Sequence, residues 1–303
     1  MMLWKESQVR NEDLPGGPGM TPCDRWSISE LSTYRWTFEE DIFRYRKAGF
    51  GAVGIWRPKL ADYGELKGKE LLDEFGLRVS SVSWAGGFTG SDGRSISEAI
   101  EDAVEAIRLT RELNCQTLVL MVGSRDGHTR KHAARMVRSA LKELVGAALE
   151  HGVQLAVEPM HWGCAHDCTF LTDMPQTLDL IAPLTPGPIG IVFDCYHLGH
   201  DEATRQWLPH WIPWIKLVQL ADAQDAPRGE QNRCLLGAGG LPIRELVECL
   251  ERYGYEGYYE VELIGEQIEH GDYLQMLEET RHSLRGFWQL GDRTPNSNAL
   301  GDA

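Results

Sequence analysis

No stretch of the chain approaches eighteen consecutive apolar residues, so no membrane-spanning helix is expected. The first residues, MMLWKESQVR, contain no apolar core of a secretory leader. No signal peptide is therefore expected, and the cytoplasm is the expected compartment. Basic residues are in short supply, with 30 Lys and Arg against 45 Asp and Glu, a formal net charge of −15. A nucleic-acid binder needs a basic face, so DNA and RNA are not expected as partners, and polyanionic substrates are disfavoured. The seven cysteines are odd in number and scattered at 23, 115, 164, 168, 195, 234 and 249, which is no disulfide framework. Cys164 and Cys168 have loose zinc spacing, but no second pair completes a structural site. No glycine-rich fingerprint follows an early strand, against an open doubly wound sheet, and no repeat of solenoid period appears.

What is present is an alternation. Short β-type runs at 27–33, 52–57, 78–85, 117–123, 154–160, 189–195, 215–221 and 257–264 are separated by helical patterns. Several runs are almost continuously apolar, as parallel strands covered on both faces are. Thr37 and Glu40 form a capping-box pattern before a helix that ends on Gly49. Ser95 and Glu98 repeat it before a long helix with Ile100, Val104, Ile107 and Leu109 predicted inward. Further helices are predicted at 129–152, 241–254 and 272–290. Eight such units in 303 residues predict an α/β fold, a single (β/α)8 TIM barrel over 26–290. An irregular N-terminal segment, 1–25, precedes it, and a polar tail, 291–303, follows.

In a parallel barrel the chemistry lies at the C-terminal ends of the strands. Strand five ends in Ala156-Val157-Glu158 and strand six in Val192-Phe193-Asp194. Strand seven carries Leu217-Val218-Gln219, and strand eight ends in Glu260-Val261-Glu262. The separations of 36, 25 and 43 residues are one strand–helix unit each. Three carboxylates gathered at one pole repel one another unless protons or a cation intervene. With Gln219 supplying an amide oxygen, the four donors are all oxygens. That favours one divalent ion, Mn²⁺ or Mg²⁺, with Zn²⁺ or Co²⁺ as alternatives. Strand alternation puts Glu260 and Glu262 on the same face and does not choose between them.

VEP at 157–159, FDCYH at 193–197, VQLAD at 218–222, PRGE at 227–230 and GYEGYYEVE at 254–262 occur in order, spaced by these units. Together they resemble the xylose-isomerase-like barrel family of sugar isomerases and epimerases. The resemblance implies that Glu158, Asp194, Gln219 and Glu262 bind the metal and that Glu158 and Glu262 also move the substrate proton. The five-residue step from Gly257 matches the family and selects Glu262. Most epimerases of the family have His on strand seven; Gln219 is similar to members resembling hydroxypyruvate isomerase. His197, three residues after Asp194, stands where the family has a substrate-binding His, and Arg228, in the loop after strand seven, is a further candidate substrate contact.

Trp56, Trp84 and Phe88 follow strands two and three, and His161 with Trp162 follows Glu158. These are candidate pocket-lining residues for a small sugar-like substrate, because sugar rings pack on aromatic faces. The expected reaction is isomerisation or epimerisation through an enediolate, the metal polarising a hydroxy-carbonyl compound. The same machinery would serve a dehydratase or lyase acting on a keto sugar. A non-catalytic barrel and a DNA-repair endonuclease are the remaining readings, the last opposed by the charge. A homo-oligomer is compatible with the sequence.

Overall fold

The computed structural model describes residues 22–288. The expected tail 291–303 and almost all of the irregular segment 1–25 lie outside the described residues. Only the end of that segment, Pro22–Arg25, is described, as a 3-10 turn leading into the first strand.

Eight parallel strands close into a barrel: β1 (Trp26–Ser29), β2 (Ala52–Trp56), β3 (Arg78–Gly86), β4 (Thr117–Met121), β5 (Gln154–Val157), β6 (Ile189–Asp194), β7 (Ile215–Leu220) and β8 (Tyr259–Val261). Each strand pairs with its sequence neighbours, and β1 with β8 completes the circle. This is the (β/α)8 barrel that the alternation predicted. The first strand is shorter than expected, because the Ser29 side chain caps a 3-10 turn at Glu30–Thr33.

The helices start and stop where local chemistry says. Thr37 and Ser95 each close a reciprocal capping box, with Glu40 and Glu98. Gly49 and Gly152 end their helices in the left-handed conformation, at φ of 84° and 67°. The helix Ile96–Glu112 is rotated from the expectation: Ala99, Ala103 and Ala106 are buried with Ile107 and Leu109, while Ile100 and Val104 sit half-buried at its flank. Small residues on the inward face bring the helix close to the strands. Among the described residues no helix is long and apolar enough to cross a membrane.

The main core lies between strands and helices. A second, small cluster fills the floor of the barrel: Ala52, Val119, Ala156, Val192, Leu217 and Tyr258. Side chains two residues apart share a face of a strand. Directly above this floor, the interior positions are therefore Gly54, Met121, Glu158, Asp194, Gln219 and Glu260, followed by Glu262. Most barrels of this kind fill such layers with branched apolar side chains. Here the upper interior is polar, at the pole where strand ends open.

Candidate active site

The backbone fixes the key side chains on the barrel rim. The Glu158 N–H donates to Leu120 O at 3.0 Å, and the Glu262 N–H to Leu220 O at 3.1 Å, each continuing a strand ladder by one residue. Asp194 ends β6, and its Oδ1 accepts the Tyr196 N–H at 2.7 Å, capping a short turn. Its Oδ2 lies 2.9 Å from the Arg233 guanidinium. Gln219 Nε2 donates to Glu262 Oε2 at 3.0 Å and lies 3.5 Å from Glu260 Oε1, while its Oε1 is buried and unpartnered. Glu158, Asp194, His197, Gln219 and Glu262 are all buried. Ligand atoms of Glu158, Asp194 and His197 lie within 4.8 Å of one another.

Two charged groups that the sequence reading passed over stand among them. Arg233 is buried, with Nη2 2.9 Å from Asp194 Oδ2, 2.7 Å from Glu230 Oε2 and 3.8 Å from Glu262 Oε1. Its guanidinium lies over the Tyr196 ring. Glu230 Oε1 is 3.1 Å from His197 Nε2, and the Cys164 thiol joins these two in a group within 4.8 Å. The segment PRGEQNR offers two arginines, and Asn232 decides between them. Its side-chain amide donates to Asp225 O and Ala226 O, and its Oδ1 accepts the Arg228 N–H at 3.0 Å. So pinned, the loop leaves Arg228 exposed, outside the cluster, and Arg233–Cys234 pairs antiparallel with Asp222–Ala223. A two-residue strand among loop residues was the only signal, and it is too short to read.

The remaining candidates are dispersed. His197 is in the cluster. His161 is half-buried, its Nδ1 accepting the Gly163 N–H, and Trp162 is exposed beside it. Phe88 is wholly buried in the main core. Trp56 and Trp84 line a cavity of about 390 Å³ with Arg57, Arg94 and Asp102, and none of the rim carboxylates borders it. The register of β3 against β4 slips between Val82 and Ala85, which turns Trp84 outward. Arg57 locks that wall by donating to Trp84 O and pairing with Asp102.

Electrostatics set the cluster apart. Burial, then the charges of Glu262 and Asp194, hold the Glu158 carboxyl well above its ordinary range. Burial pushes Glu262 up to about 8 although Arg233 works against it. Burial keeps His197 below its usual value and so neutral. Burial opposes the charge of Arg233, but Asp194, Glu230 and Glu262 outweigh it. The residues fit a divalent ion. An unpartnered amide oxygen and three carboxylates meet where, among the described residues, the only fixed cation is one guanidinium. The nearby His197 nitrogen means the donors are not oxygen alone.

A model of the xylose isomerase-like TIM barrel family matches residues 43–287. The chain belongs to this family. Within the family's reach, a curated inosose isomerase of Halalkalibacterium halodurans is 22% identical over 183 residues, 58% of this chain and 63% of that protein. A putative hydroxypyruvate isomerase of Streptomyces coelicolor is 24% identical over 234 residues, 71% of this chain and 81% of that one. The chain thus spans less than two thirds of the first relative. A solved structure of the IolI protein with a bound zinc atom superposes with a TM-score of 0.78 at 16% identity, over 89% of this chain and all of that one. At that identity the likeness is one of fold.

Proposed function

We propose that the chain is a divalent-metal-dependent isomerase or epimerase of a small sugar-like hydroxy-carbonyl compound. The carrying observation is the convergence of Glu158, Asp194, Gln219 and Glu262 on one pole, with the buried Gln219 Oε1 left without a hydrogen-bond partner. These four would hold the ion. The oxygen majority suits Mn²⁺ or Mg²⁺, and the His197 nitrogen admits Zn²⁺ or Co²⁺. The ion, when bound, supplies polarisation of the substrate carbonyl. Names among the relatives, inosose isomerase and hydroxypyruvate isomerase, support a substrate with a carbonyl beside a carbinol carbon.

The chain's own groups do the rest. One of Glu158 and Glu262 removes the proton from the carbon next to the carbonyl, and the other returns it to the enediolate. Burial and neighbouring carboxylates raise both carboxyls above their ordinary range, which favours groups that can hold the proton between the two steps. Neutral His197 can donate to a substrate oxygen. The Arg233 guanidinium steadies Asp194 and Glu230 and lies within reach of the same space. Burial of all these groups keeps bulk water from the reacting carbon.

The test is turnover of inososes, hydroxypyruvate and small ketoses by Mn²⁺-loaded protein in deuterated water. Deuterium should enter the carbon beside the carbonyl, and Asp194→Ala should lose stoichiometric Mn²⁺. Unchanged Mn²⁺ uptake in Asp194→Ala, or full activity in Glu158→Gln and Glu262→Gln, sinks the reading.

A further inference from the structure

Glu260 has no part in the proton transfer, yet the barrel goes to lengths to seat it. The Ser80 and Ser81 hydroxyls donate to its Oε2 at 2.6 and 2.7 Å. The Ser27 hydroxyl lies 2.6 Å from that of Ser80. On β2, Gly54 leaves the room, since a Cβ there would collide with the Glu260 carboxyl. Side chains of β1, β2 and β3 thus give up apolar packing in the barrel interior for one carboxyl on β8. A buried carboxyl needs hydrogen-bond partners or a counter-charge, and the two hydroxyls serve only one of its oxygens. Among the described residues no ion pair reaches Glu260; Arg233 pairs with Asp194, Glu230 and Glu262 instead. With both serines on Oε2, Oε1 is free for one neighbour, and that neighbour is Gln219 Nε2 at 3.5 Å.

A carboxamide has two ends of nearly equal shape and opposite hydrogen-bonding sense. Only the oxygen end can ligate a cation. The register places Gln219 directly beside Glu260 on one side and Asp194 on the other. The nitrogen end is held by Glu262 Oε2 and Glu260 Oε1, and the oxygen end is left unpartnered. Glu262 cannot be the lasting anchor if its own oxygens turn to the ion. Glu260, clamped by two hydroxyls, can. We infer that Glu260 is a positioning residue: its carboxylate holds the Gln219 amide nitrogen so that Oε1 faces the cation. The inference rests on the metal reading above.

A double-mutant cycle of Glu260→Gln and Gln219→Glu tests it, read by Mn²⁺ affinity in calorimetry and by the visible absorption of Co²⁺-loaded protein. Glu260→Gln preserves shape but offers Gln219 an N–H₂ group while the serines keep the oxygen, and so favours the wrong end of the Gln219 amide. The expected loss of Mn²⁺ affinity is about ten- to a hundredfold, typical for removing a group that orients a ligand, with an altered Co²⁺ spectrum. In the Gln219→Glu background both ends at 219 are oxygen, so adding Glu260→Gln should cost no more than about twofold. An equal loss in both backgrounds, as the removal of one nearby charge alone would give, overturns the inference. So does wild-type affinity in Glu260→Gln. A wild-type chain that takes up no divalent ion overturns the metal reading and this inference together, and the wild-type titration alone tells that failure from the others.

Discussion

The barrel buries two groups of acids, and they are built to opposite ends. Around Lys59, the ammonium donates to Asp41 Oδ2 at 2.6 Å, Thr33 O at 3.1 Å and Glu30 O at 3.3 Å, which uses all three of its donors. The Thr33 hydroxyl donates to Asp41 Oδ1, the Tyr45 hydroxyl meets Thr33, and the Trp56 N–H donates to Glu30 Oε2. Two carboxyls face one cation, so a single proton balances the group. Burial supplies the place for it by holding Glu30 well above its usual value and pushing Asp41 up to about 7. At the rim the proportions differ. Asp194, Glu230 and Glu262 pair with Arg233, Glu158 lies beside a neutral His197, and Glu260 joins them through Gln219. Full ionisation leaves four negative charges over, which a divalent ion and two protons would balance. Among the described residues, the Lys59 cluster sets one ammonium against two carboxyls, whereas the rim cluster has one guanidinium among five.

The largest effect that would sharpen this contrast is catalytic. Glu158→Gln and Glu262→Gln should each lower kcat by about a thousandfold while melting within a few degrees of wild type, because an amide keeps the shape and cannot take a proton. Lys59→Met has the reverse signature: turnover per folded molecule intact and a fall in Tm of about 10 °C, from leaving two buried carboxyls without their cation. Thermal scans on both sets separate the clusters; a Lys59→Met protein as stable as wild type breaks the comparison. Next comes metal removal. Chelation at neutral pH should lower Tm by about 5 °C relative to saturating Mn²⁺, and the same chelator should not shift Asp194→Ala.

A smaller effect is one of pH. Asp41 titrates higher in the folded chain than in the unfolded one, so the folded state holds the extra proton. The stability it contributes is complete below the unfolded value near 4 and is lost as pH rises through about 7. Asp41→Asn should therefore flatten the decline of Tm between those limits, and an unchanged slope would assign the proton elsewhere. The smallest expected effect is at Arg228. Its exposed position predicts a change in KM of no more than about twofold in Arg228→Ala, inside the range of surface substitutions, against a large loss of substrate binding in Arg233→Met.

These contrasts follow the line between what periodicity encodes and what it does not. The strand-end residues Glu158, Asp194, Gln219 and Glu262 were legible because each terminates an apolar run, and the run itself fixes direction and face. Arg233 was not, because its inward turn depends on Asn232 bonding three backbone groups of an irregular loop. Trp84 follows the strand pattern as a pocket residue, but a register slip in β3 rotates it to the flank. Glu260 shares its face with Glu262, and only Gly54 and the serines on other strands distinguish a seated carboxyl from one at the rim. The Lys59 cluster left no trace in the pattern, since its members come from a turn and two helices that meet only in the folded chain.

The ladder bonds from the Glu158 and Glu262 amides have a kinetic consequence. Each amide lies between barrel strands, so its hydrogen exchanges with solvent only when neighbouring strands part, an event whose free energy approaches that of global unfolding. Glu230 and Arg233 are carried instead by a loop outside the barrel ladder, tied down by Asn232, by the Gly229 N–H on Gly163 O and by the pairing of Arg233–Cys234 with Asp222–Ala223. The two halves of the rim therefore keep different clocks. The half that would grip the ion opens only when barrel strands part, and the half that meets it from the loop opens when a few local bonds break.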